Sequence, residues 1–493
     1  MAPDAPDALW RLAASELVAG FRAGSFTPVD ALDACLARAE ACEPALNAMV
    51  CFDRAGACRA AEASRARWAA GRPLGPLDGV PMTAKDNLHV TGLPTAWGSR
   101  LLRGVVPAAD ELPVRRLREA GAVLFGKTNL PEFAMQGVTT NALSGTTRNP
   151  WDLALTPGGS SGGAAAAVAA GYGPLALATD GGGSIRRPAS HCGLVGFKPS
   201  MGTVPRGGGL PDIFLDYEVA GGIGRNVQDV RAMTGVLADT PMVVPPPRGA
   251  RILFVPRFGS HPVDAGIAAQ VREAAKRFEA LGHRVDEAAS FELAERVNAL
   301  WPLLSAAGLA WMFGDAATWP ALGVREGSAP DERLCGDAAR AALAQGLAAG
   351  AASLFDVLAA VQRMRQALDV LFATHAFILT PATAALPWPA QQTHPATIDG
   401  QPVGPRGHAV FTAFANAAGL PAIAMPCGDV GGLPTGFQLV GRARADAALL
   451  ALALQFEQVH PRAAEWPDGR TRPDGQRGPQ GRSESADAAP LQD

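Results

Sequence analysis

The stretch Leu175 to Gly193, LALATDGGGSIRRPASHCG, decides how this chain is read. Gly-Gly-Gly-Ser in polar company is a flexible linker. Here an alanine-rich run at 164–170 precedes it and Gly193-Leu-Val-Gly-Phe-Lys198 follows, so apolar sequence encloses the glycines. A glycine run in that setting is wanted for its backbone rather than for slack.

Outward from this stretch, short apolar runs alternate with helical patterns. GVPMTAK, AVLFGK, PLALATD, RILFVP, AFILTPA and PAIAMPCG read as buried strands. Helices are predicted at Pro113–Ala120, Ala164–Ala170 and Asp264–Leu281, and Thr27 with Pro28 marks a helix start. The fold class is therefore α/β with a largely covered sheet. MVVPPPRG at 242–249 divides a glycine-rich first half from a more variable second, and the polar stretch 463–493 reads as a mobile tail.

Of the 493 residues, 48% are hydrophobic and 18% charged, with net charge −3, which describes a globular chain without the basic block a nucleic-acid partner requires. Seven scattered cysteines without a Cys-x-x-Cys pair point to reduced thiols and no metal. No signal peptide and no 18-residue apolar window stand out, so the expectation is a soluble cytoplasmic protein with no membrane contact.

Three glycine motifs compete for the chemistry. Gly121-Ala-Val-Leu-Phe-Gly-Lys-Thr128 fits the P-loop pattern by letter, yet its inner residues are a hydrophobic strand and cannot wrap phosphates. Ser160 in TPGGSSGG satisfies G-x-S-x-G, which would make this a histidine-dependent esterase of α/β-hydrolase type with His375, His394, His408 or His460 as the base. No apolar strand leads into that serine, however. The third reading joins GGSSGG and GGGS, one helix length apart, so that a serine meets converging N–H groups able to hold an oxyanion. Both clusters as plain tight turns is the alternative. Lys85 is one of only four lysines and follows an apolar run. Burial would lower its pKa and make it a general base, against the alternative of a surface pair with Asp86.

These residues resemble the amidase signature family. The likeness rests on GPLDGVPMTAKDN, GAVLFGKTNLPEFAM, TRNPWD, TPGGSSGGAAAAVAAG and TDGGGSIRRPASHCGLVGFKPSMGTVP, with fainter echoes in GGIGRNVQDV and ANAAGLPAIAMPCG. The resemblance implies a central mixed β-sheet covered by helices on both faces. It also implies one domain over 1–462, made of N-terminal helices 8–60, a signature core 61–240, a variable part 241–376 and a return to the core at 377–462. It places a catalytic Lys85, a cis-peptide Ser160 and a nucleophilic Ser184, with the N–H groups of Gly181, Gly182, Gly183 and Ser184 as the oxyanion hole. Ser161, Asp180 and Arg186 would hold the loops in register, Thr179 and Ile185 would pack, and Met135 and Gln136 would border the acyl pocket.

The implied activity is hydrolysis, without cofactor or metal, of a small uncharged carboxamide or anilide through a seryl acyl-enzyme. Esters and carbamates are side substrates of the same chemistry. The alternative within the family is the A subunit of a tRNA-dependent amidotransferase, although Tyr172 and Tyr217 are the chain's only tyrosines. A homodimer is left open. Two departures from the family stand out: Gly181 replaces a larger residue, and Gly222 stands where relatives carry proline, so a different turn is expected there. Trp301, Trp311, Met312, Phe313 and Trp319 are expected in the core or a lid, with an apolar pocket lining as the second assignment.

Overall fold

Apolar runs bounded by glycine and proline form strands wherever neighbours can take up both backbone edges. In the computed structural model, which describes residues 6–322, 330–461, 466, 467 and 469, eleven of them join one mixed sheet. In chain order these are β1 (Met49–Phe52), β2 (Pro81–Lys85), β3 (Val123–Thr128), β4 (Leu175–Asp180), β5 (Val195–Lys198) and β6 (Val219–Gly224). They continue with β7 (Arg251–Phe254), β8 (Arg284–Glu287), β9 (Phe377–Pro381), β10 (Ala422–Val430) and β11 (Leu433–Gly441). The spatial order is β1-β3-β2-β4-β6-β5-β10-β11-β9-β7-β8. Strands β3, β2 and β4 run parallel, and β6, β5, β10 and β11 alternate antiparallel. All six predicted strands are present, and helices cover both faces.

The parallel pair β2–β4 matters most for the site, because Lys85 ends one strand and Thr179 lies at the end of the other. The helix Gly162–Ala170 packs beside them with every residue buried, which accounts for its alanines. Its first two glycines are steric requirements: a Cβ on Gly162 would collide with Thr139 Oγ1, and one on Gly163 would stand 2.5 Å from the Asn129 backbone. Thr27 caps the helix Pro28–Leu46 as its sequence signals, accepting from the Asp30 N–H.

Several expectations are corrected. Gly222 is no turn residue: it lies within β6, paired to Leu177 and Phe197, with Met233 Sδ 3.1 Å from where its Cβ would be. The helix Glu295–Gly314 is long and apolar enough by composition to cross a membrane, contrary to the expectation that no such window exists. Trp301, Leu304, Leu309 and Met312 are buried, and the helix packs against Asp337–Leu347 and Ala351–Phe372, so its apolar surface belongs to the core. The predicted mobile tail lies outside the described residues except at Trp466, Pro467 and Gly469. There Trp466 packs edge-on against Trp10 at 4.7 Å and the Gly469 N–H donates to Pro150 O. None of the seven cysteines forms a disulfide.

Beneath the second half of the sheet, Phe258 is fully buried against Phe291, Phe411 and Phe414 at centroid distances of 4.7, 4.9 and 5.6 Å. Phe258→Ala is expected to cost about 3–5 kcal/mol through lost burial and a residual cavity. A urea titration would show it as a lowered midpoint, and an unchanged midpoint would contradict this packing.

Candidate active site

Lys85 is driven underground by its strand: all five residues of β2 are buried, and no ion pair with a described residue waits at the end of the side chain. Its Nζ donates to Ser160 Oγ at 2.8 Å and to Thr179 Oγ1 at 3.0 Å. Burial pushes its pKa down to about 8, against an upward pull from the Glu218 and Asp180 carboxylates. Asp86, its chain neighbour, instead pairs with Lys127 at 2.8 Å, so the Lys85–Asp86 surface pair is not formed. Lys127 also donates to Pro94 O and Thr95 Oγ1, and Val123–Thr128 is a strand. The P-loop reading therefore fails.

Ser160 is fully buried, and the Gly159–Ser160 peptide is cis. The next residue ties the two serine clusters together: Ser161 N–H donates to Ser184 O at 3.2 Å, and its Oγ to Thr179 O at 3.1 Å. Thr179, expected to pack, is a polar node as well. Its hydroxyl accepts from Lys85 and, at 2.9 Å, from Asn87 Nδ2, whose amide also reaches Glu218.

The glycine loop is organised around one carboxylate. Asp180 accepts from the N–H groups of Gly183 at 2.6 Å, Ile185 at 3.0 Å and, at longer range, Gly182 and Arg186. Arg186 adds Nε at 2.9 Å and Nη2 at 2.8 Å, and continues to Thr412 O, Asn416 and Gln438. Burial acts to raise the Asp180 pKa, but Arg186 overrides it and holds the carboxyl far below the usual range. Ser161, Asp180 and Arg186 thus bind the loops together.

The same geometry narrows the set of N–H groups expected to face an oxyanion. Gly183 N–H is turned to Asp180, with φ of +112° and its preceding carbonyl, Gly182 O, held by Arg187 and Thr412. Among the described residues the Gly181 and Ser184 N–H groups donate to no protein acceptor. Gly181 O is fixed by Trp301 Nε1 at 3.1 Å, while a Cβ on Gly181 would meet only ordinary 3.4 Å contacts. The glycine there leaves room rather than relieving a clash.

A cavity of about 760 Å³ opens over this loop, lined among others by Gly181, Gly182, Ser184, Met135, Gln136 and Trp301. Met135 and Gln136 line it beside Gly137. Met312 and Trp319 belong instead to an adjoining core cluster, and Trp311 is exposed. Of the four histidines proposed for an esterase triad, three are engaged elsewhere, His375 with Asp286, His394 with Thr393 and His460 against Phe456, while His408 lines the cavity with neither ring nitrogen bonded to a described residue. Among the described residues no histidine hydrogen-bonds Ser160 or Ser184, and no cluster of His, Cys, Asp or Glu is placed to hold a metal. The sequence reading had no role for Arg187 or Thr412, nor for Arg406, which also lines the cavity.

Comparison with known proteins agrees with this architecture. A family model described as Amidase matches residues 30–450. The chain is 35% identical over 478 residues to the A subunit of a glutamyl-tRNA(Gln) amidotransferase from Symbiobacterium thermophilum, covering 91% of this chain and 96% of that protein. It is 34% identical over 477 residues to an acylamidase of Rhodococcus erythropolis, covering 92% and 97%. A solved bacterial aryl acylamidase of the amidase signature enzymes superposes with a TM-score of 0.83 at 27% identity, covering 91% and 96%. The chain belongs to the amidase signature family and is an amide hydrolase.

Removing the Asp180 charge leaves Arg186 buried and unpaired. Asp180→Ala is expected to destabilise the fold by about 3–5 kcal/mol, read as a lowered denaturation midpoint. A midpoint within error of the native protein would mean the loop does not depend on this pair.

Proposed function

We propose that the protein hydrolyses a carboxamide, anilide or related acyl C–N bond through an acyl-enzyme on Ser184. Ser184 Oγ attacks the carbonyl and passes its proton to Ser160 Oγ, which passes its own to neutral Lys85. The C–O bond forms as the carbonyl π pair moves onto oxygen. That oxyanion is held by the Gly181 and Ser184 N–H groups. Collapse of the intermediate breaks the C–N bond, and the proton held at Lys85 returns through Ser160 to the leaving nitrogen. Water then enters by the same relay and releases the acid. Esters and carbamates follow the same course.

One observation carries this reading: a buried lysine with no carboxylate in contact donates at 2.8 Å to a buried serine beneath a cavity that Ser184 lines. A lysine whose pKa is drawn to about 8 is fit to accept a proton near neutral pH. The names of the acylamidase and aryl acylamidase relatives favour amides as the substrate class. The amidotransferase relative of comparable identity supports a second reading, glutamine cleavage that supplies ammonia to a partner. Ammonia release from glutamine compared with release from simple amides separates the two.

Ser184→Ala is expected to abolish turnover and covalent labelling by a fluorophosphonate; labelling that persists on another serine would reject the assignment. Lys85→Ala is expected to lose about 10²–10⁴-fold in the acylation rate. Because the neutral amine is the active form, kcat/KM is expected to rise with pH through about 8 and then level off. A profile that falls across that range would remove Lys85 as the base.

A further inference from the structure

The wall of the cavity built by Arg406-Gly407-His408 is basic and has unspent hydrogen-bonding capacity. Arg406 is half-buried, and its side chain makes no hydrogen bond or ion pair with any described residue; Nη2 is fully covered. Burial presses its pKa down only to about 10, so it is a cation at neutral pH. His408 is 3% exposed, and neither ring nitrogen has a hydrogen-bond partner among the described residues. Its Nε2 lies where a Cβ on Gly137 would fall, beside Gln136 on the cavity rim. Burial, Arg187 and Arg406 all disfavour a charged imidazole, so the ring is neutral and offers one N–H.

This wall is also rigid. His408 O accepts from Ala384 N–H and Thr383 Oγ1, the ring packs on Trp388 at 4.7 Å, and Ala409 N–H returns to Arg406 O. The charged or titratable neighbours acting on His408 are Arg187, Arg406, His191 and His394, with no acid among them. The cavity's two carboxylates are otherwise placed: Glu218 is held by Arg206 and Asn87, and Glu295 is exposed on the helix Glu295–Gly314. A guanidinium with a covered, unpartnered Nη2 and no counter-charge is unfavourable unless a ligand completes it.

We infer that the substrate is an amide that also carries a carboxylate, received by the Arg406 guanidinium with the His408 N–H as second donor. This replaces the uncharged substrate expected from the sequence. It rests on the cavity being the acyl site of the proposed reaction.

The test uses Ser184→Ala protein and calorimetric dissociation constants for two matched series. One contains monoamides of straight-chain dicarboxylic acids with two to six methylenes, and the other contains the corresponding diamides. The best monoamide is expected to bind about 10–100-fold tighter than its diamide, as charge-assisted hydrogen bonds allow. Arg406→Met is expected to erase most of that ratio and Arg406→Lys to keep part of it, with thermal melts verifying that both fold. Diamides binding as tightly as monoamides, a ratio untouched by Arg406→Met, or no binding in either series would overturn the inference. Ammonia release from the same pairs by native protein reports separately on the reaction. Carboxylate-selective binding without any turnover would refute the Ser184 mechanism and leave the basic wall standing.

Discussion

A lysine sunk in a protein keeps a lowered pKa only if no acid is close enough to hold it charged, and the rest of this site is arranged around that condition. Strands β2 and β3 bury two lysines and treat them oppositely. Lys127 meets Asp86 at 2.8 Å in an ion pair, along with Pro94 O and Thr95 Oγ1. Lys85 meets two hydroxyls, which accept a hydrogen bond without demanding a charge. The nearby carboxylates are satisfied by other cations: Asp180 by Arg186 and Glu218 by Arg206. Their residual pull on Lys85 is outweighed by desolvation.

Asp180 does more than stand aside from Lys85. By taking the N–H groups of Gly183 and Ile185 it curls the chain after β4, and through Arg186 it reaches Thr412, Asn416 and Gln438 in the last part of the sequence. The glycine loop is therefore locked from below by a charge and from the side by residues more than two hundred positions away. Arg187 and Thr412 fix Gly182 O, and Trp301 fixes Gly181 O. An anion cradle works only if its dipoles need not reorganise as charge develops, and fixing the carbonyl ends of these peptides fixes the N–H ends too.

How much of this was legible depended on whether a residue's role was local. Strands β2, β3 and β4 announce themselves because a covered parallel strand is a short apolar run between turns. Lys85 stood out because charge elsewhere is carried almost entirely by arginine. The glycines were harder. In GGSSGG the last pair is set by the approach of Thr139 and Asn129, and in GGGS two N–H groups of the expected four, those of Gly182 and Gly183, go to Asp180. Gly222 read as a turn because relatives carry proline there, yet in β6 it makes room for Met233. Thr179 read as packing because nothing in a β-branched strand residue shows which hydroxyl will face a lysine. Roles that arise only when distant segments meet, such as those of Thr412, Asn416 and Arg406, carry no local pattern at all.

The two arginines of the cavity show how such distant contacts divide labour. Arg187 follows the nucleophile candidate by three residues and spends both terminal nitrogens of its guanidinium on Gly182 O, Gly159 O and the Thr412 hydroxyl. It is a girder between the two serine loops. Arg406 arrives from the far end of the chain and spends nothing on the protein. A side chain that braces the loop must be present in every state of the enzyme, so its donors are consumed internally. One that reads a ligand must keep its donors free. With the first beside the glycine loop and the second in a loop between strands, the side chain proposed to read the ligand can vary without disturbing the loop that Asp180 and Arg187 hold together.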